Sequence, residues 1–241
     1  MPVSKTDFVR AMQCEKMLWL DSHAPEYKVI PEEIQDRLDL GNEFGDSAMG
    51  IFGAFTETTC YKDDGRLNYA QMLKTTQSLL TLGAQVICEA AFSWYGNFCA
   101  VDILKKDGEF YSLYEVKNAT TVRNEFLVDL GFQRFILRKS GVKVGVCALV
   151  LNGAETDESG GQVCVEHAGN RYKIVDVTKE VTRYERLVER RIFEYGKIKR
   201  KDAICPNIGV GEQCQKPYLC FYHEYCHGGQ KPDSAELDEI R

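Results

Sequence analysis

The sequence predicts an α/β protein with a mixed central sheet flanked by helices. Three observations carry this expectation. Segments 85–92, 98–105 and 110–117 read as successive strands, the last two joined by the turn signal Lys106-Asp107-Gly108, which is the pattern of an antiparallel meander. Segment 124–139 has helical spacing and precedes a strand-like 142–151, and a helix crossing between strands implies a mixed sheet with a right-handed connection. Finally, 241 residues, 44% of them hydrophobic with a mean hydropathy of -0.32, can bury one sizeable core and a small appendage.

The elements follow in chain order. Ser4 with Asp7 three residues on has the form of a capping box, and Phe8, Met12, Leu18 and Leu20 continue at roughly helical intervals, so a helix opens the chain. Pro31-Glu32-Glu33 starts a second helix, because proline suits the first turn and acids suit the dipole there. Ile34, Leu38, Phe44 and Met49 carry it towards Gly53. A third covers 69–82. Within 124–139 the core candidates are Phe126, Leu130, Phe132 and Ile136, and Gly141 stops the helix. Residues 152–161 form a polar, Gly-rich loop expected to be mobile, followed by strand candidates at 162–166 and 172–175. A long amphipathic helix is expected over 178–201.

Charge and hydropathy exclude some classes of function. No run approaches the ~20 apolar residues of a membrane span, and the N-terminus lacks the apolar stretch of a secretory signal, so the chain reads as cytoplasmic with no membrane partner. Thirty Lys+Arg against 36 Asp+Glu argues against indiscriminate coating of nucleic acid but leaves room for a local basic patch. That patch is the last helix, where Arg183 to Lys201 holds eight Lys/Arg and three Asp/Glu. Arg183, Arg186, Arg190 and Arg191 are its phosphate-tracking candidates, a solvated outer face being the plainer reading.

Ten cysteines without a signal peptide need a reason other than a disulfide framework. Cys60, Cys88, Cys99, Cys147 and Cys164 sit among apolar neighbours and read as small core residues. Cys214, Cys220 and Cys226 are different, since five residues separate each neighbouring pair, which looks like ligand spacing. Cys205 stands outside that set. His223 and His227 flank Cys226, so zinc held by Cys and His competes with an iron–sulfur cluster, and spacing alone leaves the two open. His23 and His167 read as surface residues.

Chemistry is most legible between 96 and 120. Asp102 lies on one strand of a hairpin and Glu115 and Lys117 on the other, with strand alternation putting Glu115 and Lys117 on one face. Two carboxylates held close repel each other unless a divalent cation neutralises them, and a nearby lysine can orient water or stabilise charge on a phosphoryl oxygen. An exposed hairpin with alternating charges is the plainer reading.

The order Asp102, then Glu115-Val116-Lys117 after a short hairpin, then Gln133 on the next helix, resembles the PD-(D/E)XK nuclease motif of the RecB type. Cys14 in MQCEKMLWL, with Cys214, Cys220 and Cys226, resembles the split cysteine set of RecB-type nucleases that carry a four-iron four-sulfur cluster. That family includes the exonuclease of CRISPR spacer acquisition. The resemblance runs from Cys14 to Cys226 and implies a restriction-endonuclease-like core in one nuclease domain over 1–241, with 1–30 and 202–230 together forming a cysteine-bound lobe. It implies Asp102, Glu115 and the Val116 carbonyl as ligands of Mg2+ or Mn2+, Lys117 as the water-orienting or charge-stabilising group, and Gln133 as positioning substrate or metal-bound water. Glu89, in a Glu-Ala-Ala-Phe segment similar to one near the site in relatives, joins the set.

Its implied activity is a metal-dependent deoxyribonuclease, an exonuclease on single-stranded DNA or DNA ends, in CRISPR adaptation beside an integrase or in repair and recombination. Two positions depart from the pattern. Where many relatives carry a metal-binding histidine on the helix before the sheet, residues 40–46 hold only the acids Glu43 and Asp46, and the aromatic expected four residues after the glutamine is Leu137. A catalytically inactive nucleic-acid-binding protein and a zinc-stabilised interaction module are the alternatives.

Overall fold

The computed structural model describes residues 1–153, 163–230 and 232. Most of the Gly-rich loop, from 154 to 161, and the first residue of the strand expected at 162–166 lie outside the described residues. The chain forms two compact units, one of Leu40–Glu189 and one of Met1–Asp39 with Arg190–Arg241.

The larger unit is built on a seven-stranded mixed sheet. Its strands are β1 (Thr56–Glu57), β2 (Val86–Trp94), β3 (Asn97–Asp107), β4 (Phe110–Lys117), β5 (Val144–Asn152), β6 (Val163–His167) and β7 (Asn170–Asp176), in the spatial order β1-β2-β3-β4-β5-β7-β6. β2, β3 and β4 form the antiparallel meander, and β4 pairs parallel with β5. The turn after Asp107 closes through Gly108, whose φ of 61° suits glycine. Between β4 and β5 the chain crosses over as α5 (Asn124–Lys139), which packs on β2 through β5.

Two apolar layers fix this sheet. On one face Cys88, Ile103, Val116, Val150 and Tyr172 pack with Phe44 and Ala48, which belong to α3 (Glu32–Ala48). Alternation turns Leu104, Leu113 and Glu115 to the other face, where α5 contributes Phe126, Leu130, Phe132 and Ile136, all buried. Helix α5 is buried along most of its length, and its buried polar residues are Asp129 and Gln133, with Arg134 half-buried between apolar neighbours. Leu38, expected on the buried stripe of α3, is 43% exposed, whereas Ile34 and Phe44 are buried.

A two-residue β1 leaves much of the β2 edge without a strand partner. Helix α4 (Tyr69–Leu82) packs there, and the buried Thr76 hydroxyl accepts the Ala91 N–H at 2.9 Å. Thr76→Val keeps the shape and removes the acceptor. An unsatisfied buried N–H costs about 1–3 kcal/mol, so urea denaturation is expected to show a loss of that size.

The terminal unit begins with α1 (Lys5–Gln13), whose Ser4 and Asp7 close the anticipated capping box. The opening helix is not continuous: it breaks at Cys14, with extended φ of -158°, and resumes as α2 (Glu15–His23). Its C-terminal side contains the end of α6 (Thr178–Ile198), which stops three residues short of the predicted 201, and a single turn α7 (His223–Cys226). Short anchors join the chain ends. Gln13 Nε2 donates to the Gln213 and Tyr218 carbonyls, Trp19 Nε1 to that of Ala203, and Lys199 pairs with Asp7 at 2.6 Å. No helix among the described residues is long and apolar enough to cross a membrane.

Candidate functional site

The sheet brings the predicted acids into register. Cys88 pairs with Ile103, Ala90 with Val101, and Ile103 with Tyr114, so Glu89, Asp102 and Glu115 stand at equivalent positions on β2, β3 and β4. β3 and β4 part at this level, and the Asp102 side chain takes over the pairing: its Oδ2 accepts the Val116 N–H at 2.7 Å. The Asp102 carboxylate therefore touches the peptide group that joins Glu115 to Val116. Glu89 departs from regular strand geometry with φ of 54°, a left-handed conformation that costs a non-glycine residue about 1–2 kcal/mol. Burial, together with the charges of Glu89, Glu57 and Asp102, pushes the Cys88 thiol up to about 12.

Below Glu115 lies a ring of four side chains. Lys117 Nζ donates to Glu115 Oε1 at 2.7 Å and to Asp129 Oδ2 at 2.9 Å. Gln133 Nε2 donates to Glu115 Oε2 at 2.6 Å and to Asp129 Oδ1 at 2.9 Å. Each carboxylate thus gives one oxygen to the ammonium and the other to the amide. Glu115 is 1% exposed and Gln133 0%, while Lys117 reaches the surface with 26% of its side chain exposed. Gln133 Oε1 is buried with no hydrogen-bond partner among the described residues.

Sequence reading missed Asp129. Its signal was there: Asp129 and Gln133 are spaced i,i+4 and share one face of a helix whose other neighbours are apolar. Glu43 and Asp46, the acids of the segment where relatives carry a histidine, are exposed on α3.

Asp102 and Glu115, with the Val116 carbonyl, offer hard oxygen donors, and with Asp129 beside them the carboxylates outnumber the one ammonium of Lys117. Both features fit Mg2+ or Mn2+. Among the described residues no group of three or more His, Cys, Asp or Glu side chains is already gathered as around an ion.

The cysteines of the terminal unit form a second constellation. Cys14 caps the start of α2, Cys214 ends a short 3-10 turn (Glu212–Cys214), Cys220 follows it with its N–H on the Cys214 carbonyl, and Cys226 ends α7. Cys220 packs with Met17, Leu20 and Tyr222, and Cys14 and Cys226 pack against the same cluster. All ten cysteines of the chain are free thiols. Burial, with Cys14, Cys214 and Cys226 as further negative neighbours, pushes the Cys220 thiol up to about 12. Burial also raises Cys226, against the opposing charge of Lys16. As thiolates these neighbours would repel one another without a cation, which is part of what raises Cys220 and Cys226. Among the histidines, His223 is buried and stacks on His227 at 3.8 Å, while His23 is tied to the Trp19 and Arg200 carbonyls.

Other sequence-selected residues divide. Cys88, Cys99 and Cys147 are core residues as expected, but Cys60 is half-buried and Cys164 exposed, because β6 is the edge strand and its outer residues face water. Arg183, Arg186 and Arg190 are exposed on α6 with no ion pair among the described residues, whereas Arg191 is paired with Glu194 at 3.1 Å and Glu15 at 3.7 Å. No family model matches the chain, and no curated protein matches it.

Proposed function

We propose that the protein is a metal-dependent deoxyribonuclease with a restriction-endonuclease-like core, acting on single-stranded DNA or DNA ends. The observation that carries this reading is the meeting of Asp102 with the Glu115–Val116 peptide, beside a lysine held at the surface end of a buried carboxylate ring. Asp102, Glu115 and the Val116 carbonyl would hold Mg2+ or Mn2+, which when bound activates water and stabilises charge on the scissile phosphate. Lys117 presents its ammonium towards that charge, and Gln133 fixes the Glu115 carboxylate through Oε2. Glu89 adds negative charge from the neighbouring strand. Cys14, Cys214, Cys220 and Cys226 would hold a four-iron four-sulfur cluster with a structural role. A closed carboxylate–lysine–glutamine ring is also how a purely structural ion-pair network looks, so a non-catalytic DNA-binding protein is the second reading.

Cleavage separates the two. Anaerobically purified protein is expected to degrade end-labelled single-stranded DNA when Mg2+ or Mn2+ is added and to stop when the ion is chelated. DNA binding with no cutting under either ion supports the second reading.

The arginines offer a separate test. If Arg183, Arg186 and Arg190 track phosphates, reversing all three to Glu is expected to weaken binding of single-stranded DNA. The slope of log affinity against log salt should flatten by about 2, at roughly 0.7 per phosphate contact. An unchanged slope would make this helix a solvated face only.

A further inference from the structure

The ring of side chains contains one member that the nuclease reading does not use. Asp129 is 6% exposed, projects from α5 rather than from the strands, and makes the same pair of contacts as Glu115: one oxygen to Lys117, the other to Gln133. The two carboxylates are not equivalent, however. Glu115 is on β4 next to the peptide that receives Asp102, so a divalent cation held by Asp102 would compete with Lys117 and Gln133 for the Glu115 oxygens. Asp129 belongs to α5, and its oxygens bond Lys117 and Gln133. Its two bonds would persist if Glu115 turned to an ion.

We infer that Asp129 is a positioning residue, the counter-ion that keeps Lys117 and Gln133 in place once Glu115 is engaged. This inference rests on the nuclease reading. An ammonium with four flexible methylenes and no second anchor would sample many rotamers, and its charge would be spread over several positions instead of one. The helical i,i+4 link between Asp129 and Gln133 makes the anchor rigid, because both side chains leave the same buried face of α5. The Lys117 ammonium also lies 5.7 Å from the centre of the Phe126 ring, one turn earlier on that helix, so α5 meets it at two points.

Single-turnover cleavage and calorimetric titration with Mn2+ alone test the assignment on the full-length, cluster-replete protein. Asp129→Asn is expected to lower the cleavage rate constant about 10- to 100-fold while changing KM less than about threefold. Mn2+ affinity should stay within about threefold, since Asp129 is not a ligand. Asp129→Glu keeps the charge and is expected to recover part of the rate, which also covers the case in which Asp129→Asn fails to fold. Because Asp129 acts through Lys117, the pair Lys117→Met/Asp129→Asn should cut no more slowly than Lys117→Met alone.

Wild-type rate in Asp129→Asn, loss of Mn2+ binding on that substitution, or a double variant slower by the product of the single effects would overturn the inference while leaving the nuclease reading intact. A wild-type protein that binds Mn2+ but never cuts DNA would overturn both.

Discussion

Asp102→Asn is expected to reduce DNA cleavage by at least about a thousandfold while leaving the protein folded. On the proposed reading, the size follows from removing a charged ligand from a cation that would supply both the nucleophile and charge stabilisation. The mild structural effect follows from geometry: the amide oxygen of asparagine can still accept the Val116 N–H, and Asp102 is only half-buried. Glu115→Gln should abolish cleavage to the same degree but with a cost in stability of about 1–3 kcal/mol, because its amide group must face either Lys117 or the Gln133 amide inside a buried ring. The two variants thus separate chemistry from folding. Rate loss without a change in melting temperature in Asp102→Asn marks chemistry, and a melting shift confined to Glu115→Gln marks the ring.

Cys220→Ala is expected to remove iron and sulfide from anaerobically purified protein and to unfold the terminal unit. Metal ligation in small cysteine sites contributes about 10–16 kcal/mol of apparent free energy in zinc peptides, comparable to the whole stability of an ordinary domain at about 5–15 kcal/mol. Losing it is therefore a change of state rather than a softening. Cys220 is the most informative position because it is buried among Met17, Leu20 and Tyr222, and its thiol is difficult to ionise without a cation. Hydrogen exchange should show lost protection in α1, α2 and α7 and retained protection in β2 to β5. Stoichiometric zinc without sulfide in the wild type would instead favour a zinc site, with His223 and His227, which flank Cys226 in sequence, as nitrogen candidates.

Much of the sheet unit could be read from the sequence because its signals are local. The helices at 69–82 and 124–139 and the strand at 110–117 have the predicted bounds, each set by a strong periodic run between clear stop residues. What escaped was set by tertiary structure. The break at Cys14 lies within an apolar period that continues through it, so periodicity alone predicts one helix where the structure has two. The exposure of Cys164 depends on β6 ending up at a sheet edge, which the alternation within the strand does not encode. Leu38 is apolar and in phase yet exposed, since the stripe that α3 buries is centred on Ile34 and Phe44.

The candidate site shows the same division. Asp102, Glu115 and Lys117 could be paired in advance because a hairpin and the alternation of its strands fix their neighbours. Asp129 could not, because its partner Lys117 is twelve residues away across a loop and a helix start, and only the packing of α5 on β4 brings them together. Buried polar residues on an otherwise apolar helix face are the one signal that would have singled it out.

The most direct test of the nuclease reading is single-turnover cleavage of end-labelled single-stranded DNA by cluster-replete protein in Mn2+, with wild type and Asp102→Asn run side by side. The expected result is complete degradation by wild type and a residual rate at least about a thousandfold lower in the variant, with both proteins binding the DNA. Equal rates in the two proteins, or no cleavage by wild type, would contradict it.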